Sequence, residues 1–478
     1  MKKNQLYKAI IEFLIGISFV MSVYANMISY YVTGNQNDLL RKGISWGIIV
    51  IIVVILGSYI IKKWFSSDKA VRKDILLYLS PLLINGVLLV WALAGSGGNS
   101  IVFKQCLSFS AYCIPVVCGA IYIVLEKRFD AVASKIKYVM LTMLPYYCIS
   151  LLYFGSMTVA SRTPREVGGV VYLSIGYSVI PLYACLLYDL IQNFMAEKKS
   201  KTKIGLILLE MVLGSLMAII SSSRGVLIGW FLINLVAVII MLAKKQRKAM
   251  LGVAVSIASV LIFCIAAPAD NMALGRQFAF INDLKQGKLE QSLKSEEGQQ
   301  LLNDLYEQAD GEQGLLEIAL GISKEVNGES QTSDDISVDE NYKDALESVT
   351  TGSMARSYLW QLAIKEMKQS PLTGIGPMGY QQKYGSHAHN ILLECLADFG
   401  IIACAVLGVA CVAAVVLLIK KGFQDWKYCG VLMLISGEIV RAMLSGNLYV
   451  CPFLLFTLVI ATEIVLKEHK AKRLAENA

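Results

Sequence analysis

The chain has 478 residues, 56% hydrophobic and 17% charged, with a mean hydropathy of +0.57. Soluble domains run at about half apolar and about a quarter charged, so an ordinary soluble enzyme is excluded, and with nine prolines and 37 glycines so is a collagen-like or disordered chain. What remains is a protein whose main solvent is lipid, and the formal net charge of +8 is to be read in that setting rather than as a sign of nucleic acid binding.

At about 20 residues per membrane helix, apolar runs fall at 9–31, 43–61, 75–94, 106–125, 136–153, 170–195, 204–221, 225–243, 249–267, 390–419, 428–444 and 447–466, twelve in all. The first run contains Val23-Tyr24-Ala25, which resembles a signal-peptide cleavage site. Glu12 within its apolar region, and the lack of a compact hydrophobic core, argue instead for a retained anchor. The eleven cysteines all lie in or beside apolar runs, and none falls between Pro268 and Ser386. They act as small hydrophobes; no Cys-x-x-Cys pair suggests zinc and no disulfide framework is implied.

The short loops alternate sharply in basic charge. Lys2, Lys3 and Lys8 precede the first run; Lys62, Lys63, Lys69, Arg72 and Lys73 follow the second; Lys127, Arg128, Lys135 and Lys137 follow the fourth. The pattern continues through 198–203, 244–248, 420–427 and the tail at 467–473, giving 27 basic residues on one side against six in the opposite short loops. By the positive-inside rule the 27 are cytoplasmic, and so are both termini. The chain then divides into helices one to nine at 1–267, an extracytoplasmic loop at 268–389, and helices ten to twelve with a basic tail at 390–478.

The long loop is acidic: residues 268–388 hold 19 Asp and Glu against ten Lys and Arg. Leu301–Leu320 and Glu347–Lys368 carry apolar residues at three- and four-residue spacing and are expected to be helical, while the polar stretch Gly321–Tyr342 between them is expected to be mobile. Ser370-Pro371-Leu372-Thr373-Gly374-Ile375-Gly376-Pro377 should end the second helix, because proline cannot continue it and the glycines supply turns. The fold class is therefore an all-α polytopic membrane protein, with about twelve transmembrane helices and one large, partly helical extracytoplasmic loop.

Chemistry-bearing residues gather toward the outer face. Ser221-Ser222-Ser223-Arg224-Gly225 interrupts two apolar runs with almost no loop, and an arginine there is expensive unless it meets an anion or a carboxylate; the competing reading is an interfacial arginine snorkelling to headgroups. Arg356 precedes Trp360 by one helical turn, so both fall on one face. His387 and His389 are two of three histidines in the chain. No third ligand stands near them, and two-residue spacing on a helix would send the rings to different faces, so a metal site is not expected. A single histidine beside Asn390 at a helix mouth suits general-base work. Glu438 and Arg441, three apart, read first as mutually neutralising. No phosphate-binding glycine loop, His-Glu-x-x-His or Gly-x-Ser-x-Gly motif is present.

In order and spacing these pieces resemble the bacterial O-antigen ligase and Wzy-type polysaccharide polymerase superfamily. The pieces are Ser223-Arg224-Gly225, Arg356 followed by Trp360, Ser370-Pro371-Leu372-Thr373-Gly374-Ile375-Gly376, and His389-Asn390-Ile391-Leu392 running to Ala397-Asp398-Phe399-Gly400-Ile401. They cover about 205–405, with two departures: Asp398 stands where the family usually has Glu, and the acidic insertion around 282–350 has no role in the pattern.

The resemblance implies a GT-C-like glycosyltransferase of the plasma (inner) membrane, metal-independent, inverting and without cofactor, with its active site on the extracytoplasmic face. Its donor is a glycan on undecaprenyl diphosphate, and its acceptor a second lipid-linked glycan or another surface carrier; membrane lipid is the other partner. Carried over by motif, Arg224 and Arg356 hold the diphosphate and His389 deprotonates or orients the acceptor hydroxyl. Asn390 and Trp360 contact sugar or support those that do, and His387 has no counterpart. The chemistry is consistent, since paired guanidiniums offer planar, bidentate contacts to a diphosphate leaving group. The alternatives are a lipid-linked glycan flippase or other secondary transporter, which should place its ionisable groups near the midplane, and a scaffold for envelope polysaccharide assembly.

Overall fold

The computed structural model describes residues 3–33, 38–95, 100–157, 166–167, 170–196, 200–221, 223–267, 271, 273–274, 353–384, 387–444 and 452–476. The helix expected over Leu301–Leu320, the polar stretch Gly321–Tyr342 and the acidic insertion at 282–350 lie outside the described residues.

Each of the twelve apolar runs is helical over most of its described residues, with Val170 and Val171 of the sixth run in a strand. In chain order the helices are α1 (Lys3–Ser18), α2 (Met21–Thr33), α3 (Asp38–Ser66), α4 (Lys69–Gly95), α5 (Ser100–Glu126), α6 (Phe129–Gly155), α7 (Tyr172–Met195), α8 (Lys201–Ile220), α9 (Arg224–Ala243) and α10 (Met250–Ala266). They continue with α11 (Ser353–Gln369), α12 (Gly379–Tyr384), α13 (Ile391–Gly422), α14 (Trp426–Leu444) and α15 (Pro452–Glu476). Before α7, β1 (Glu166–Val167) pairs antiparallel with β2 (Val170–Val171).

Fewer than the expected twelve runs qualify as spans by length and composition alone. Among the described residues eight helices are long and apolar enough to cross a membrane, or nine if α1 and α2 count as one bent span. The first run is broken by a 95° bend between α1 and α2. Ser18 Oγ donates to the Ile15 carbonyl as α1 ends, and Phe19 at the corner packs edge-on against Phe456 of α15. In α5 the described apolar part is the shorter Ser110–Glu126. The other two shortfalls come from charge: α14 carries Lys427, Glu438 and Arg441, and α15 carries Glu463, Lys467 and Glu468.

Helix α7 is almost wholly enclosed, and its neighbours α8 and α9 complete a buried centre. Some polar groups inside it pair across helices, whereas both carboxyl oxygens of buried Glu210 in α8 have no hydrogen-bond partner among the described residues. The Tyr183 hydroxyl donates to Asn234 Oδ1 at 2.8 Å, and Trp230 Nε1 donates to Ser215 Oγ at 3.1 Å.

The basic loops converge on one end of the bundle. Lys8 and Lys63 both reach Glu126, at 2.6 and 3.2 Å. Arg128 pairs with buried Glu12, Lys137 and Lys203 share Asp189, and Lys427 and Lys467 share Glu463. Lys421 pairs with Glu468 and Lys470 with Asp74. Lys244 Nζ, just past α9, donates to the Phe423 carbonyl just past α13 at 2.6 Å. Helices α9 and α13 therefore finish at this basic end; Arg224 opens α9 at the opposite one, and His389 precedes a short first segment of α13 that folds back at Gly400 against the second, Cys404 Sγ lying 3.9 Å from the Leu392 carbonyl.

Candidate functional site

Arg224 is the first residue of α9 and half-buried. Ser223, in extended backbone geometry, caps the helix by accepting the Val226 amide at 3.4 Å. Tyr177 of α7 lies across this helix start, its hydroxyl 3.5 Å from Ser223 Oγ. A side-chain carbon at Gly225 would sit 2.2 Å from that hydroxyl oxygen, so only glycine lets the ring approach. Helix α14 crosses α9 almost backbone to backbone: a carbon added at Gly229 would lie 3.3 Å from the Gly437 carbonyl. One turn beyond the crossing, the Arg441 guanidinium lies over the Tyr177 ring, 5.4 Å from its centroid, and reaches Glu438 Oε2 at 3.4 Å. The expected Glu438–Arg441 contact is present; its position beside Arg224's helix is new.

The second half of the site is built by a broken helix. Inside α13, Gly400 adopts φ 72° and ψ −177°, a conformation open essentially to glycine alone. Carbonyls freed by the break are taken up by the Ser370–Pro377 loop: the Ile375 amide donates to Ala397 O and the Gly376 amide to Asp398 O, both at 2.9 Å. In return the Ile401 amide donates to Pro371 O at 2.8 Å. Asp398, fully buried, accepts the Met378 amide at 3.1 Å and the Tyr380 amide at 2.8 Å, so a residue on α13 caps the start of α12. The expected end of α11 before Pro371 is therefore observed, and the loop beyond it is a structural partner of the Asp398–Gly400 break.

This clamp presents the histidine. Asn390 caps α13, its Oδ1 accepting the Leu392 and Leu393 amides at 3.0 and 3.1 Å. On the other side Trp360 Nε1 donates to the Ala388 carbonyl at 3.0 Å. Between these anchors His389 takes a left-handed φ of 52°, costly for a residue with a Cβ. Tyr380 and Tyr384 of α12 secure α11 from below, donating to the Leu359 carbonyl at 2.6 Å and to Glu366 at 2.5 Å.

Helical divergence of the two histidine rings does not hold. Residues 387–390 precede α13 and are not helical, and the rings of His387 and His389 lie 4.0 Å apart, tilted by 51°. Asn390 spends its side-chain oxygen on the cap; its amide nitrogen is the part the cap does not use. Trp360 supports the histidine segment through its indole N–H. Arg356 lies on α11 one turn before Trp360, with its side chain outside the described residues. Sequence reasoning missed Tyr177 and the pairing of the Ser370–Pro377 loop with the Asp398–Gly400 break. The glycines at 374, 376 and 400, each with positive φ, were its available signal.

An apolar cavity of about 410 Å³ runs between α13, α14 and α15. Ile391 and Leu392 are among its lining residues, and Glu438 is the one carboxyl group lining it among the described residues. The arrangement thus joins cationic side chains and a helix N-terminus, which favour an anion, to a fixed imidazole and an apolar recess. Among the described residues no cluster of three or more His, Cys, Asp or Glu is disposed to hold a metal ion.

No curated protein matches the chain. Residues 209–408, which span Arg224, Arg356, Trp360, His389 and the Asp398–Gly400 break, match the family model described as O-Antigen ligase, the family to which the sequence motifs are similar.

Proposed function

We propose that the protein is a membrane glycosyltransferase that moves a glycan from undecaprenyl diphosphate to a lipid-linked or other surface acceptor. The carrying observation is that, inside the family-matched stretch, Arg224 opens α9 at the end away from the basic pole and His389 is held between the Trp360 and Asn390 anchors at the start of broken α13. Arg224, with Arg356 as the second cation, binds the donor diphosphate through planar hydrogen-bond forks as negative charge develops on the leaving group. His389 takes the proton of the acceptor hydroxyl. The oxygen then forms the new bond to the anomeric carbon on the face opposite the diphosphate, the old carbon–oxygen bond breaks with its electron pair leaving on the diphosphate, and the configuration inverts. Trp360 and Asn390 hold the His389 backbone, and the apolar cavity takes the first isoprene units of the donor.

The experiment is transfer by purified protein with lipid-linked donor and acceptor in EDTA. Wild type should be active, and His389→Ala should lose about 10²–10⁴-fold while still binding donor. Wild-type rates in His389→Ala would remove the base, and activity abolished by EDTA and restored by a divalent ion would remove the metal-free mechanism.

The same reading has twelve spans, cytoplasmic termini, and residues 268–389 outside, with the site on the outer face. The gathering of basic loops at one pole supports it. In a variant lacking the native cysteines, a membrane-impermeant thiol reagent applied to intact cells should label Ser333→Cys and spare Ala475→Cys. The reverse pattern overturns the orientation.

A further inference from the structure

Arg441 lies beyond the family-matched residues, yet its guanidinium sits over Tyr177, the ring that crosses the start of Arg224's helix. We propose that Arg441 is an additional anion-binding residue of this site and contacts the diphosphate of the donor lipid; the proposal rests on the donor assigned above. Its pairing with Glu438 is too poor to be its whole purpose. A buried ion pair offsets its desolvation only with close geometry and full hydrogen bonding. Here one guanidinium nitrogen reaches one carboxylate oxygen at 3.4 Å, and the other, Glu438 Oε1, is buried with no hydrogen-bond partner among the described residues. A guanidinium carries five N–H donors in a rigid fork, so one long contact leaves most of that fork for a ligand.

The surroundings fix the ligand's chemistry. Glu438 is 8% exposed and lines the apolar cavity, while Arg441, one turn further along α14 and over the Tyr177 ring, is about a third exposed. The step from apolar wall to guanidinium within one helical turn matches a molecule with a hydrocarbon chain and an anionic head. The α9 N-terminus adds partial positive charge in the same place. Glu438 then keeps Arg441 oriented over Tyr177 and compensated while the site is empty.

Binding of a fluorescent polyprenyl diphosphate to purified protein in detergent, displaced by inorganic pyrophosphate, tests this. The informative variant is E438Q/R441Q, which removes both charges and leaves no buried ion unpaired. If Arg441 only neutralised Glu438, the double variant would bind as wild type. A ligand contact predicts binding about tenfold or more weaker, with unchanged thermal unfolding. If the double variant is not recovered folded, R441K replaces it: the charge stays, the planar fork is lost, and binding should weaken several-fold. Wild-type affinity in the variant used overturns the role of Arg441 and leaves the donor assignment standing. Failure of wild-type protein to bind polyprenyl diphosphate overturns the donor assignment itself.

Discussion

The two poles of the bundle handle charge in opposite ways. At the basic pole, cations from distant parts of the chain share carboxylates: Glu126 serves Lys8 and Lys63, Asp189 serves Lys137 and Lys203, and Glu463 serves Lys427 and Lys467. Such pairs tie helix ends together and quiet one another's charge. At the other pole Arg441 has a single long contact to Glu438, and Arg224 opens a helix whose own dipole favours an anion. The first arrangement is what holding helices in register needs. The second suits an anionic ligand, and both poles hold left-handed backbone positions. Among the described residues, Lys127 and Lys245, with positive φ, merely follow helix ends at the basic pole. Met378 and His389 flank α12 at the site.

Substitutions can separate the poles. The largest effect is expected at the site pole from Gly400→Ala. Its backbone geometry admits glycine, and the new carbon would lie 2.4 Å from the Leu372 carbonyl. A cost of about 3 kcal/mol or more should release the Ser370–Pro377 loop and with it His389. Transfer should collapse, hydrogen exchange should rise in α11 and α12, and exchange at the basic pole should stay as it was; a spread of the effect to both poles would show that they are not independent.

The converse test is Arg128→Gln, which leaves buried Glu12 without its cation. A loss of about 1–3 kcal/mol is expected in thermal unfolding, because a buried acceptor loses its partner. Transfer per folded molecule should be unchanged. A selective loss of transfer would make the basic pole part of the catalytic apparatus.

The smallest effect is a pH dependence at Glu366. Burial alone would raise its carboxyl, but hydrogen bonds from Lys383 and Tyr384 hold it below the usual carboxylate range. With the folded value depressed, its contribution to stability is present above the unfolded value of about 4.3 and is lost as the pH falls through the folded value. Hydrogen exchange in α11 and α12 should therefore rise on acidification below about pH 4. Glu366→Gln should flatten that rise; an unchanged profile would assign it to another group.

Much of this was legible in the chain. The helices of the described residues were largely readable as apolar runs because lipid demands long apolar stretches whatever their neighbours are. The bend at Ser18–Met21 was not, since an apolar run looks continuous while its corner is set by packing against α15. His389 and Arg224 were visible as costly polar groups at helix mouths. Trp360 was visible as a residue but not as a support for the histidine, because the Ala388 carbonyl it holds lies 28 positions away.

By itself the sequence determined the lipid setting, the helices, the segregation of basic loops and the ordered motifs of residues 209–408. These follow from local composition and spacing, which no partner is needed to define. Only the tertiary structure decided that the Gly374–Gly376 turn repairs the break at Gly400, that Asp398 caps α12, and that Tyr177 brings Arg441 to the start of Arg224's helix. Each of these is a contact between segments far apart in the chain, made by hydrogen-bonding groups and ring faces whose partners exist only once the helices have packed.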